Sequence, residues 1–103
     1  MPTVTHNVLL KVLPDASPAA VAAALESLRA LVGVCPGLLS YSGGAYASPE
    51  GLNRGYTHGF TMIFDSPAAR NAYLVHEAHV AAAGLVLAVT GGIDNVLAFD
   101  FEA

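Results

Sequence analysis

This chain of 103 residues predicts an α+β fold: one four-stranded antiparallel sheet with helices on a single face. Three observations carry the prediction. Apolar residues alternate at period two in four short segments, a Ser-Pro pair opens each of two segments of helical period, and turn-forming residues separate them.

The first strand is expected over residues 4–13. His6, Val8, Leu10 and Val12 share one face, Leu9 and Leu13 the other, so both faces carry apolar groups and both should be covered. Residues 14–18 turn; Ser17 is suited to cap a helix that has Pro18 at its first position, and Val21, Leu25, Leu28 and Val32 then repeat at helical spacing. That helix should stop near Gly33, before Pro36. A second strand is expected over 38–46 and a polar loop over 47–55. The third strand, 57–64, sets His58, Phe60, Met62 and Phe64 against Thr57, Gly59, Thr61 and Ile63. Ser66-Pro67 opens a second helix running to about residue 75. Residues 76–89 are also mostly helix-forming, with Gly84 as a candidate break and Gly91-Gly92 as the end. The last strand, 96–101, alternates Val96, Ala98 and Asp100 with Leu97, Phe99 and Phe101.

The order strand, helix, strand, strand, helix, strand is that of the ferredoxin-like split βαβ unit, here in one domain spanning residues 1–103. Such a sheet leaves one face free of helices. Only 12% of the residues are charged and 54% are apolar, too few charges to cover a small monomer, so the free face is expected to meet a second copy in a dimeric α/β barrel. With a net charge of −4 and scattered Lys11, Arg29, Arg54 and Arg70, no nucleic-acid partner is expected. No apolar run is long enough to span a bilayer and no signal peptide opens the chain, which points to a cytoplasmic location without a membrane partner.

Proton-handling side chains are scarce, and they cluster. Three of the four His and two of the four Tyr lie between positions 56 and 79, in Tyr56-Thr57-His58 and in Tyr73-Leu74-Val75-His76-Glu77-Ala78-His79-Val80. Neutral His titrates close to cellular pH and Tyr offers a phenolic donor, so these residue types suit proton transfer. Each of these residues also has an ordinary structural reading, as a core aromatic or a hydrogen-bonding strand His, and His76 and Glu77 read as a solvated helix end. If the second helix returns along the third strand, Tyr73 lies near His58, while His6 sits at the other end, near Asp100. No metal site is expected, since His-Glu-Ala-His lacks the zincin spacing and a third ligand. Cys35 has no partner for a disulfide and no base beside it, and neither Gly pair has phosphate-loop spacing. No cofactor is implied.

His6-Asn7-Val8-Leu9-Leu10-Lys11-Val12, Tyr56-Thr57-His58, the segment from Tyr73 to Val80 and the closing Phe99-Asp100-Phe101 together resemble the stress-responsive A/B barrel family, which includes the plant olivetolic acid cyclase. The resemblance implies the same dimeric barrel. It further implies cofactor-free aldol cyclisation of a polyketide, with Tyr73 and His79 as the catalytic pair, His6 and His58 lining the cleft, and Leu28 where the cyclase has a pocket Tyr. The sequence therefore supports a cofactor-independent cyclase or lyase acting on a small apolar carbonyl compound, in a pocket floored by Val8, Leu10, Phe60 and Met62. The alternatives are a small-molecule binder using the same pocket and a structural, stress-related homo-oligomer in which the pocket is filled.

Overall fold

The structure, a computed structural model, describes residues 2–103. In chain order it has β1 (Val4–Leu10), α1 (Pro18–Arg29), β2 (Leu38–Ala45), β3 (His58–Phe64), α2 (Pro67–Val75), α3 (Glu77–Thr90), a 3-10 turn at Ile93–Asn95, and β4 (Val96–Glu102). The strands form one antiparallel sheet in the order β2-β3-β1-β4. The fold is α+β and ferredoxin-like, with the second helix of the unit divided in two.

Both Ser-Pro signals act as helix starts. The Ser17 hydroxyl accepts from the Ala20 N–H at 3.1 Å and the Ser66 hydroxyl from the Ala69 N–H at 3.1 Å, each filling an otherwise orphaned donor of the first turn. α1 turns Ala24 and Leu28 inward and stops at Arg29, short of the expected Gly33, because residues 30–35 close into tight turns. β1 also stops early, at Leu10. Beyond it the Lys11 and Leu13 N–H groups bond to the carbonyls of Asn95 and Val89, and the Val12 N–H bonds to the Thr57 hydroxyl, so the chain leaves the ladder with its donors satisfied. Gly84 does not break the last helix, which runs on to Gly91 in the left-handed conformation at φ +81°.

Cross-strand partners share a face, so register fixes the two sides of the sheet. His6 pairs with Met62 and Asp100, and Val8 with Phe60 and Ala98; these point toward the helices. The core is built here from Val4, Leu10, Met62 and Phe64 of the sheet, Leu28 of α1 and Tyr73 of α2, each at most 2% exposed. The opposite face carries Leu9, Leu97, Phe99 and Phe101, exposed at 41, 44, 67 and 48%. Beside them the Thr61 hydroxyl donates to Asn7 Oδ1, and Asn7 Nδ2 donates to the Phe99 carbonyl. Among the described residues no single helix is long and apolar enough to cross a membrane, and α2 and α3 reach that length only together, across a 68° bend.

Candidate active site

The bend between α2 and α3 creates the site. His76 is extended, at φ −69° and ψ 134°, and its Nδ1 accepts from the Ala78 N–H at 3.0 Å, so an imidazole caps α3. His76 is thus a half-buried structural cap and not a solvated helix end, while Glu77 is exposed. On a straight helix Tyr73 and His79 would be separated by about 240° around the axis. The bend instead brings their rings together, with centroids 4.2 Å apart and planes at 43°.

Each ring has a defined role as donor or acceptor. Burial, helped by the nearby Cys35 and Tyr41, pushes the Tyr73 phenol far above its usual value, so it stays a hydrogen-bond donor. Its oxygen is buried and, like that of Tyr41, has no hydrogen-bond partner among the described residues. His79 is shifted the other way: burial lowers it below 6.5, its contact with the Leu74 carbonyl offsets this, and any charge on His6 adds to the lowering. A carbonyl only accepts, so the 3.2 Å contact makes Nδ1 the protonated nitrogen of neutral His79 and leaves the lone pair on Nε2.

His6 lies behind this pair. It is 7% exposed, and its ring meets Phe60, Phe64 and Tyr73 edge-on at 6.2, 6.1 and 6.0 Å. Nδ1 is 2.6 Å from Asp100 Oδ1, and Arg70 Nη1 donates to Asp100 Oδ2 at 2.6 Å. The expected closeness of His6 and Asp100 is therefore present.

A cavity of about 240 Å³ opens onto these groups. Its walls include His6, Val8, Phe60, Leu28, Tyr73 and His79, together with Leu74, Val86 and Ile93. Among the described residues no Asp, Glu, Lys or Arg lines it. Leu10 and Met62 lie on the same sheet face but are 1% and 0% exposed and take no part in the lining, so the expected floor shrinks to Val8 and Phe60.

His58 is a larger correction. It pairs with Leu10 and Ala45 at the far end of the sheet, donates from Nδ1 to the Thr57 hydroxyl at 2.9 Å, and borders two open grooves that contain neither Tyr73 nor His79. The reason is length. α2, with nine residues, rises only about 13 Å, against about 23 Å for the seven residues of β3, so Tyr73 packs on Phe64 near its own start, with ring centroids 4.9 Å apart. His6 takes the place beside Tyr73 that was expected for His58. Arg70 was missed, although it lies three residues before Tyr73 on the same face of α2. Among the described residues no three His, Cys, Asp or Glu side chains are grouped so as to hold a metal ion.

A ferredoxin-like α+β domain whose helix-covered face closes over a buried tyrosine between two histidines is the class that these features define. The profile of the stress responsive A/B barrel domain matches residues 4–103, and the chain belongs to that family. It is 31% identical over 99 residues to the stress-response A/B barrel domain-containing protein HS1 of Arabidopsis thaliana, a match covering 96% of this chain and 88% of the relative. A dimeric ferredoxin-like protein of unknown function from Jannaschia sp. CCS1 superposes with a TM-score of 0.89 at 29% identity, over 98% of this chain and 99% of that one. The hydroxynitrile lyase of Passiflora edulis superposes with a TM-score of 0.83 at 16% identity, over 98% and 93% of the two chains, and shares the fold.

Proposed function

We propose that this chain is a cofactor-independent enzyme of the cyclase or lyase type, acting on a small, uncharged, largely apolar carbonyl compound. One observation carries the reading: the Tyr73 hydroxyl is buried without a partner, in a residue that lines the cavity between two histidines. A buried hydroxyl left unpaired costs about 1–3 kcal/mol, which a fold retains where a ligand oxygen completes the bond. In this mechanism His79 Nε2 takes a proton from the carbon beside the carbonyl, the C–H electron pair moves into the enolate, and the Tyr73 O–H donates to the enolate oxygen. The enolate carbon then attacks a second carbonyl carbon of the same molecule, whose C=O π pair moves to its oxygen, and that alkoxide takes the proton back from His79. The absence of charged side chains from the walls favours a neutral ligand, and the volume favours a small one.

The elementary step can be tested with a probe in place of the natural substrate. The wild-type protein is expected to accelerate exchange of the α-protons of 2-heptanone in D2O, followed by proton NMR, and His79→Ala to lose the acceleration while keeping its circular dichroism spectrum. Equal exchange by the variant would remove His79 from the mechanism. Ketone-induced shifts of the His79 and Tyr73 signals without exchange would instead establish a binding protein.

The same reading makes the chain a homodimer through its open sheet face. Leu9, Leu97, Phe99 and Phe101 supply an apolar surface there, and the Jannaschia protein is described as dimeric. Sedimentation of Phe99→Asp is expected to give a monomer where the wild type gives a dimer; an unchanged dimer would place the interface elsewhere.

A further inference from the structure

The contacts joining Arg70, Asp100 and His6 can run in only one direction. A guanidinium donates and never accepts, and a carboxylate oxygen held by it accepts, so the proton in the 2.6 Å contact to Asp100 belongs to His6 Nδ1. Arg70 is itself anchored, since its Nε donates to Asn71 Oδ1 at 2.8 Å. The edge-on contacts of His6 with Phe60, Phe64 and Tyr73 hold the ring plane. Nε2 has no hydrogen-bond partner among the described residues, and His6 lines the cavity.

We propose that Arg70 and Asp100 are positioning residues that hold neutral His6 as its Nδ1–H tautomer, so that Nε2 is a second acceptor for an acidic C–H or O–H proton of the ligand. This deepens the reading of the cavity as a carbonyl site and rests on it for the ligand. The site then offers one donor, Tyr73, and two acceptors, His6 and His79. That set fits an enolisable carbonyl compound carrying a second proton donor, such as a hydroxyl or enol, better than a simple ketone.

Substitution of the carboxylate exposes the direction of the chain. In Asp100→Asn, Arg70 still requires an oxygen, so the amide NH2 must face His6; Nδ1 then has to accept, and the imidazole switches to the Nε2–H tautomer. Removing the requirement in Asp100→Asn combined with Arg70→Met frees the amide to rotate, and Nδ1–H returns. Long-range 15N–1H correlation spectra at about pH 8 distinguish the two neutral tautomers and the imidazolium. The expected series is Nδ1–H in the wild type, Nε2–H in the single variant and Nδ1–H in the double variant. A doubly protonated or Nε2–H wild-type His6, a folded Asp100→Asn that keeps Nδ1–H, or a double variant that stays switched would overturn the assignment.

Should Asp100→Asn not fold, Arg70→Met decides. It is expected to lower ketone exchange about 10-fold, with most of the loss recovered in Arg70→Lys, and full exchange in Arg70→Met would remove Arg70 from the chain. Because the tautomer is read without ligand, a wild type that exchanges no ketone leaves this assignment standing. A wrong tautomer sinks it whatever the exchange shows.

Discussion

The helix-covered face of the sheet has two ends, and each holds histidine. At one end His6, Tyr73 and His79 meet under the α2–α3 bend around a cavity of about 240 Å³. At the other, His58 borders an open groove of about 380 Å³ beside α1 and one of about 490 Å³ at the β2–β3 loop that reaches round to Leu9 and Gly59 on the opposite face. The larger spaces lie where the chemistry does not converge. The His58 ring finds its hydrogen-bond partner in the neighbouring Thr57 hydroxyl, whereas His6 is held by a carboxylate, His79 by a carbonyl, and the Tyr73 hydroxyl has no partner among the described residues. Oriented, proton-handling groups around a small, largely apolar cavity make a better candidate site than a wide, open groove.

Packing is the first place to break this comparison. Phe64 lies under Tyr73 and is fully buried, so Phe64→Ala should lower unfolding stability by about 3–5 kcal/mol in urea denaturation. Leu52→Ala at the groove end, 59% exposed, should stay within about 0.5 kcal/mol. Comparable losses would mean that the groove end is as firmly built as the cavity end.

The next test compares the histidines. His79→Ala should reduce ketone exchange by about 10²-fold or more, the usual weight of a general base, while His58→Ala should leave it within about 2-fold. A similar loss in both would restore His58 to the site.

Smaller in size but sharper in sign is the removal of the orphan hydroxyl. Tyr73→Phe is expected to raise stability by about 1 kcal/mol while abolishing exchange, since the hydroxyl has no partner among the described residues. A destabilised variant would show that the hydroxyl is held by the fold.

The pH dependence follows from the same two groups. The folded His79 is lowered, so the unfolded chain binds its proton first, and the stability present above pH 6.5 is lost as pH falls below it. Tyr73 is raised, so its stabilisation is present below pH 10 and is lost as pH rises above it. Plots of Tm against pH should flatten on the acid side in His79→Gln and on the alkaline side in Tyr73→Phe.

Much of the fold was legible in residue order because its signals are local. Ser17-Pro18 and Ser66-Pro67 cap the helical patterns that follow them, whereas Ser48-Pro49, with no such pattern after it, lies in a turn, and alternation of Val8 with Leu9, or of Phe60 with Thr61, needs only the pleat of a strand. The end of α2 near residue 75 was legible, but the sharp bend that follows it was not. Its cap is a histidine, outside the usual Ser, Thr, Asp and Asn, and the residue that seemed suited to break the helix, Gly84, sits exposed in an unbroken stretch. The candidate pair Tyr73 and His79 was pointed to by residue type and by the family resemblance, yet their meeting depends on that bend, while the exchange of His58 for His6 follows from the shortness of α2.

By itself, then, the sequence determined the α+β class, the strand and helix order, the face on which each strand residue lies, and the identity of the scarce groups able to move a proton. Tertiary structure decided which of those groups meet. A helix nine residues long falls short of the strand before it, so Tyr73 stays at the Phe64 end, and a 68° turn at His76 then brings His79 onto its ring. Such distances depend on where elements end and how they bend, which are properties of the packed chain and not of any local stretch of it.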